Sequence, residues 1–341
     1  HELNTRWHKQ VARSMRYGLL SAEQCEERKE RVFATDDMRR INDADIIIET
    51  VIEDLSAKRS VLSRAAEHAK QSAVIASNSS SLLPNELAIE GVDASRLLGL
   101  HFFFPISVNG IVEVVTHDRL NPDVCSDVEG FLQRNGFFCI RQGLHNAFII
   151  NMLSMAVGGE AFRLSEQFGF KTANELARSP IFPLGPFELF DQVGIPVIRE
   201  ATKRYFARNP LCNKESYADL LRFMELEAAS EREDSRFLSG HLPAPNDLPG
   251  WAFTSPMPKG DEEELRTRLL YLHINTCFFA VQEKLIEADA LESSITAIMG
   301  TNKGPFAMAQ EIGYGVLKHK LGQYYRETER AYYRPSYLFE Q

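Results

Sequence analysis

The sequence Ser77-Asn78-Ser79-Ser80-Ser81-Leu82 directly follows Val74-Ile75-Ala76, an apolar run with the length of a buried strand. Two more apolar runs come next: Leu97 to Leu100 leads into His101, and Ile111 to Val115 stands after a predicted turn. Short apolar strands of this kind are typical of a parallel or mixed sheet that helices cover on both faces. The pattern therefore predicts an α/β domain with polar side chains collected where its strands end.

A carboxylate interrupts the last of these apolar runs, because Glu113 stands between Val112 and Val114. Burying a charge is unfavourable unless a partner compensates for the lost water. His101 lies one hairpin away, since Asn109-Gly110 is a strong signal for a two-residue turn. We therefore predict that Glu113 pairs with His101. A single histidine at a strand end is more often structural than catalytic, so the pair alone does not define a function.

The composition excludes several classes of protein. Apolar residues make up 44% of the 341 residues and charged residues 25%, as in ordinary globular proteins. The net charge of −9 gives no electrostatic reason to bind nucleic acid or an anionic membrane surface. No apolar run reaches the roughly 18 residues of a transmembrane helix. The five cysteines are scattered without a C-x-x-C pair, so we expect no metal site and reduced thiols in the cytoplasm.

The second half of the chain is predicted to be helical. Ala147 to Phe168 has apolar residues at helical spacing, and strand signals become rare after Asn146. Gly158-Gly159 within this segment indicates either close packing against another helix or a kink. From Glu225 to Glu264 the chain is rich in charged residues, proline, serine and glycine, which indicates a connector between two helical units.

The helical half also contains an internal repeat. Three features recur with one constant spacing: Gly185-Pro186-Phe187 with Gly304-Pro305-Phe306, Gly194 with Gly313, and Tyr205 with Tyr324. Because independent features keep the same spacing, we interpret the two stretches as copies of one helical unit.

These motifs together resemble the 3-hydroxyacyl-CoA dehydrogenase family, in the form that carries two C-terminal helical repeats. The resemblance extends over almost the whole chain and is weakest between about residues 210 and 262. The matching segments are 44–49 (ADIIIE), 53–58 (EDLSAK), 77–82 (SNSSSL), 101–103 (HFF), 112–114 (VEV), 148–151 (FIIN) and 184–189 (LGPFEL).

The resemblance implies an α/β Rossmann-like domain followed by an all-α domain made of two helical repeats. The expected boundaries are 1–146 for the NAD-binding Rossmann-like domain, 147–210 for the first C-terminal helical domain, 211–261 for a connector and 262–341 for the second repeat. We expect the second repeat to take the place of a partner subunit in a dimer. It has Leu270 where the first has Asn151, so we also expect it to be structural.

The resemblance also implies roles for single residues. NAD is the implied cofactor and an acyl-CoA the implied substrate, as in fatty-acid β-oxidation, with no metal. The implied roles are His101 as catalytic base, Glu113 as its carboxylate partner, Ser80 and Asn151 as substrate-binding residues, and Glu53 and Lys58 as cofactor-binding residues.

Two departures from the family pattern affect this expectation. The glycine-rich turn G-x-G-x-x-G, which holds the dinucleotide pyrophosphate at a helix N-terminus, has no counterpart here. We therefore expect a Rossmann-like domain without its first strand, and weak binding of NADH. In addition, Phe104 replaces an asparagine that the family keeps beside the reacting centre, and a phenyl ring cannot make amide hydrogen bonds.

Three functions consequently remain open from the sequence. The favoured one is an NAD-dependent 3-hydroxyacyl-CoA dehydrogenase. The second is a degenerate relative that acts as an acyl-CoA-binding or assembly module without activity. The third is a related reductase that acts on carrier-protein thioesters.

Overall fold

The computed structural model describes residues 2–16, 20–88, 90–103, 106, 110–178, 183–229, 236–239, 242–243, 247–249, 251, 253 and 260–340. Phe104 and Asn109, which the sequence analysis singled out, lie outside the described residues. Within the described part of the chain, an α/β domain is followed by helices, as predicted. None of the described helices is long and apolar enough to span a membrane.

The α/β domain contains a five-stranded sheet whose strands follow one another in chain order. Strands β1 to β3 are parallel, β4 is antiparallel to β3, and β5 is parallel to β4. The strands are β1 (Ile46–Glu49), β2 (Val74–Ser77), β3 (Leu97–Phe102), β4 (Ile111–Val115) and β5 (Phe138–Gln142). The mixed sheet agrees with the apolar runs of the sequence.

Three of the five described helices of this domain begin after a residue whose side chain caps them. The five helices are α1 (Glu2–Arg16), α2 (Ala22–Glu30), α3 (Leu55–His68), α4 (Pro84–Leu87) and α5 (Pro122–Arg134). Ser21 and Gln24 form a reciprocal capping box at α2, and the Asn121 side chain accepts a hydrogen bond from a backbone amide of α5. Side chains of α5 cover one face of the sheet, and those of α3 contribute to the cover of the other.

The first helical repeat begins with a long helix. Its helices are α6 (Ile149–Ala177), α7 (Pro186–Val193) and α8 (Ile195–Arg208). Gly159 packs against the backbone of a neighbouring turn, whereas the break in α6 lies at Gly169, whose φ is 75°. The structure therefore shows close packing at Gly159, one of the two roles expected for Gly158-Gly159. The kink lies at Gly169, just beyond Phe168, where the sequence predicted the helix to end.

The second repeat shows a corresponding order of elements. Its helices are α10 (Glu262–Gln282), α11 (Ala288–Met299), α12 (Pro305–Ile312) and α13 (Tyr314–Thr328). Two separate helices, α10 and α11, stand where the first repeat has the kinked helix α6. Gly194 joins the last two helices of the first copy, and Gly313 joins those of the second. Their backbone angles are nearly the same: φ is 98° at Gly194 and 91° at Gly313, and ψ is 128° at both. Such positive φ values favour glycine, which explains why the residue recurs.

The first part of the predicted connector, 211–261, is helical in the structure. Residues Cys212–Tyr217 form a 3-10 helix, and helix α9 (Ala218–Ala229) follows it directly. Leu220 and Phe223 of α9 are fully buried in the core that surrounds α6. The sequence analysis did not predict this helix, because the chain is polar from Glu225 onward. The apolar residues of the helix lie mostly before that point.

One apolar core joins the sheet to both helical repeats. It contains Phe103 of the α/β domain, Leu153 of α6 and Leu269 of α10. Helices α6 and α10 pack directly against each other along this core. The two helical repeats therefore share one apolar core with the α/β domain.

Candidate active site

The pair predicted from the sequence forms across two antiparallel strands. His101 of β3 stands directly opposite Glu113 of β4, so both side chains lie on the same face of the sheet. The His101 Nδ1 atom is 2.6 Å from Glu113 Oε2. Glu113 is fully buried, and His101 is 7% exposed. The histidine thus compensates for the buried carboxylate.

The other ring nitrogen of His101 points away from this carboxylate. Nε2 has no hydrogen-bond partner among the described residues. The aromatic rings of Phe103 and Phe148 flank the imidazole, with ring centroids 4.7 Å and 5.8 Å away. These aromatic rings restrict the rotation of the imidazole.

The structure connects Asn151 of α6 with the serine segment through Tyr205 of α8. The Asn151 amide donates to the Tyr205 hydroxyl over 3.0 Å, and this hydroxyl donates to the backbone carbonyl of Ser80 over 2.6 Å. The Ser80 side-chain hydroxyl makes no hydrogen bond to any other described residue. Two residues expected to bind substrate are therefore held by one shared tyrosine.

Tyr205 also lies close to the negative charges of the site. Burial raises the pKa of its hydroxyl well above the usual value, and the hydrogen bond from Asn151 works in the opposite direction. The charges of Glu113 and Glu53 raise this pKa further. The hydroxyl therefore stays neutral, and it lies within electrostatic reach of both carboxylates.

The two residues expected to bind the cofactor, the buried Lys58 and the half-buried Glu53, form an ion pair. Lys58 Nζ lies 3.4 Å from a Glu53 oxygen and 3.0 Å from a Glu49 oxygen. Glu53 also accepts hydrogen bonds from the hydroxyls of Ser79 and Ser81. Burial raises the pKa of Glu53, but these hydroxyls and the Lys58 ammonium more than offset that effect, so the pKa lies below its usual value.

Two residues of the site were not foreseen from the sequence. Tyr205 was noted only as a marker of the repeat. Gln142, at the end of β5, donates to Glu113 Oε1 over 3.0 Å and accepts from the backbone N–H of Phe148 over 2.8 Å. Nothing in the local sequence signals Gln142, because its partners come from other elements of the fold.

Family models match most of the chain. The model for the 3-hydroxyacyl-CoA dehydrogenase NAD binding domain matches residues 1–142, and that for the 3-hydroxyacyl-CoA dehydrogenase C-terminal domain matches residues 265–341. The chain belongs to the 3-hydroxyacyl-CoA dehydrogenase family. The second model falls on the second helical repeat, which agrees with the expected two-repeat form.

Curated relatives match about half of the chain. The alpha subunit of a fatty acid oxidation complex from Shewanella amazonensis is 29% identical over 166 residues, which are 48% of this chain and 23% of that protein. A probable 3-hydroxyacyl-CoA dehydrogenase from Caenorhabditis elegans is 29% identical over 175 residues, which are 50% of this chain and 56% of that protein. The chain thus spans about a quarter of the first relative and just over half of the second.

Solved structures share the fold at low sequence identity. A 3-hydroxybutyryl-CoA dehydrogenase from Escherichia coli superposes with a TM-score of 0.74 at 18% identity, over 99% of this chain and 89% of that chain. An (S)-3-hydroxybutyryl-CoA dehydrogenase from Ralstonia eutropha gives a TM-score of 0.57 at 21% identity, over 67% and 83%. The chain therefore shares its fold with these dehydrogenase structures, and with the first of them over almost its whole length.

NAD is the cofactor of the domain that the first family model describes. Ligands of open α/β sheets bind beyond the carboxyl ends of the strands, and Glu53, Ser79 and Ser81 follow the ends of β1 and β2. Their hydroxyl and carboxylate groups can form hydrogen bonds with a ligand bound there. The described residues contain no glycine-rich turn between a strand and a helix, so they offer no cradle of that kind for the pyrophosphate of the cofactor.

Proposed function

We propose that this chain is an NAD-dependent oxidoreductase that interconverts 3-hydroxyacyl-CoA and 3-oxoacyl-CoA, the reaction type of fatty-acid β-oxidation. The observation that carries the proposal is the His101–Glu113 pair, whose Nε2 atom has no hydrogen-bond partner among the described residues. Membership in the family and the names of the curated relatives support the same reaction.

Oxidation of a secondary alcohol removes the hydroxyl proton while the C–H hydrogen leaves as a hydride. Nε2 of His101 would accept the proton as general base. Glu113 would stabilise the imidazolium that forms, because its carboxylate holds the opposite ring nitrogen. NAD, when bound, supplies the hydride acceptor.

The remaining predicted site residues would bind and orient. Ser80 and Asn151 would contact the oxygen or acyl group of the substrate, since Tyr205 fixes both near the site. Glu53 and Lys58 would hold the reactive end of the cofactor from the ends of the strands. Preformed hydrogen bonds of this kind reduce the entropy lost when the substrate is aligned.

The test follows NADH formation from NAD and 3-hydroxybutyryl-CoA. We expect turnover by the wild-type chain at high NAD concentration, since NAD binding is expected to be weak, and a loss of roughly 10²- to 10⁴-fold in kcat for His101→Ala, the range typical of a missing general base. Glu113→Gln should lower kcat with a smaller effect on KM. The control is Glu67→Gln, which changes an exposed carboxylate on α3 and should leave both parameters as in the wild-type chain.

Two outcomes would contradict the proposal. If His101→Ala turns over as fast as the wild-type chain, the base is assigned wrongly. If the wild-type chain binds acyl-CoA without turnover, the acyl-CoA-binding module is the better description. Turnover of a carrier-protein thioester in preference to the CoA ester would favour the third function.

A further inference from the structure

Gln142 connects three elements of the site at one buried position. It is the last residue of β5 and only 2% exposed. Its side-chain amide donates to Glu113 Oε1 on β4 and accepts from the backbone N–H of Phe148, at the start of α6. A buried amide with a partner at each end has a single favourable orientation.

The backbone N–H of Phe148 decides that orientation. A backbone N–H can only donate, so the Gln142 atom that faces it must be the oxygen. The Gln142 NH2 group must then face Glu113 Oε1, which can only accept from it. The chemistry of the fixed donor therefore assigns the two ends of the amide, which are nearly alike in size and shape.

The same reasoning continues to the histidine. A proton on Glu113 Oε1 would oppose the N–H of Gln142, so Glu113 is held as an acceptor at that oxygen. The pair of His101 Nδ1 and Glu113 Oε2 at 2.6 Å is then best satisfied by an Nδ1–H donor. The neutral ring consequently carries its lone pair on Nε2, the atom that must accept a proton from the substrate.

We propose that Gln142 is a positioning residue that selects the Nδ1–H tautomer of His101 through Glu113. The value of this tautomer for catalysis rests on the proposed dehydrogenase function, whereas its existence does not. Gln142 acts without touching the substrate, and it fixes which nitrogen of His101 is available as the base.

Gln142 also fixes the start of the helix that carries Asn151. Phe148 has a φ of 61°, a left-handed conformation that is uncommon for a residue other than glycine. The hydrogen bond from its N–H to Gln142 stabilises this conformation. Loss of this contact is expected to affect the backbone at Phe148 locally, whereas the effect on the tautomer is passed through Glu113.

The tautomer is measured directly by nitrogen-15 NMR of histidine-labelled protein at a pH where the ring is neutral. The chain has nine histidines, so the signals of His101 are identified by their absence in His101→Gln. We expect His101 of the wild-type chain to be protonated on Nδ1. An Nε2–H ring in the wild-type protein would overturn the proposal, whether or not the protein is an active dehydrogenase.

A substitution then tests the role of the amide. Gln142→Met keeps the length of the side chain and removes both hydrogen bonds, and we expect it to yield a mixture of the two tautomers. The matched control is Gln282→Met, which removes an amide bonded to Ser336 in the second repeat. A His101 tautomer that is unchanged in folded Gln142→Met would show that Glu113 alone selects it.

Kinetics separate positioning from a general loss of structure. Gln142→Met should lower kcat roughly 10- to 100-fold, the range for losing a hydrogen bond to a charged group, with little change in the KM for acyl-CoA. In a chain that already carries Glu113→Gln, adding Gln142→Met should lower kcat much less, because Gln142 acts through Glu113. Equal losses in both backgrounds would contradict this route.

Discussion

The Tyr205 hydroxyl joins the first helical repeat to the serine segment of the α/β domain. It accepts from Asn151 and donates to the Ser80 carbonyl, and the tyrosine is only 4% exposed. A buried hydrogen-bonding group that loses its partner destabilises a protein by about 1–3 kcal/mol. The positions of both neighbours therefore depend on this hydroxyl.

We predict that Tyr205→Phe lowers kcat/KM for 3-hydroxyacyl-CoA by roughly 10-fold, because Asn151 and Ser80 lose their shared partner. Tyr324→Phe is the matched control, since Tyr324 is the equivalent residue of the second repeat and its hydroxyl bonds Glu264. The control should change the stability and not the kinetics. Equal kinetics for the two variants would show that the Tyr205 hydroxyl does not position the site.

The lowered pKa of Glu53 predicts a pH dependence of stability. Its contribution is fully present above the unfolded value of 4.5 and is lost as the pH falls through the lower folded pKa. In that range the unfolded state binds more protons, so stability rises with pH. We expect Glu53→Gln to reduce the slope of the unfolding free energy against pH as the pH falls through 4.5 and below, as measured by urea titration.

The control for this experiment is Glu67→Gln, a substitution of an exposed glutamate on α3. It should leave the slope as in the wild-type protein. Parallel curves for Glu53→Gln and the wild-type protein would contradict the assigned effect of Ser79, Ser81 and Lys58 on Glu53.

At the level of elements, α6 determines how the helical part packs. Gly159 allows its backbone to lie against the 3-10 helix Cys212–Tyr217: a Cβ atom on Gly159 would stand 2.4 Å from the Ser216 carbonyl oxygen. The clash is with backbone atoms, which cannot rotate out of the way. Close packing at this point therefore requires glycine.

We predict that Gly159→Ala destabilises the chain by at least the roughly 1–3 kcal/mol typical of overpacking. Gly315→Ala is the control, because a methyl group at this position of helix α13 would meet open space, and it should be neutral or stabilising by up to about 1 kcal/mol. Thermal and urea unfolding measure both. A Gly159→Ala chain as stable as Gly315→Ala would mean that the 3-10 helix can move away without cost.

Across the whole molecule, buried charges link the first repeat to the end of the chain. Glu160 of α6 is fully buried and accepts hydrogen bonds from Tyr332 and Tyr333 over 2.7 Å and 2.9 Å. Leu265 and Leu269 of α10 are fully buried in the same core as α6. The second repeat therefore covers the apolar face of the first and also satisfies a charge within it.

We predict that truncation after residue 240 exposes the α6 face and drives self-association, seen as an increase of mass in light scattering. The reason is the loss of both the apolar cover from α10 and the tyrosine partners of Glu160. Tyr332→Phe combined with Tyr333→Phe removes the hydrogen bonds and keeps the apolar cover. This full-length variant should be less stable but still monodisperse.

A truncated chain that remains monomeric and as stable as the full chain would contradict this prediction. It would show that the second repeat is an independent domain. The proposal that this repeat stands in the place of a partner subunit would then lose its support.

The sequence by itself determined the features that depend on near neighbours. Ser21 and Asn121 cap helices α2 and α5, because a capping side chain needs only the next turn of backbone. The His101–Glu113 pair was predictable for a similar reason: two strands that are close in sequence pair with few possible registers.

Only the tertiary structure decided the features that depend on distant residues. Gln142 and Tyr205 have partners that lie on other elements, and the helix α9 is stabilised by burial against α6. The apolar composition of a segment can indicate burial, but it does not identify the surface that is buried. Hydrogen bonds between remote residues exist only after the packing of the whole chain has brought them together.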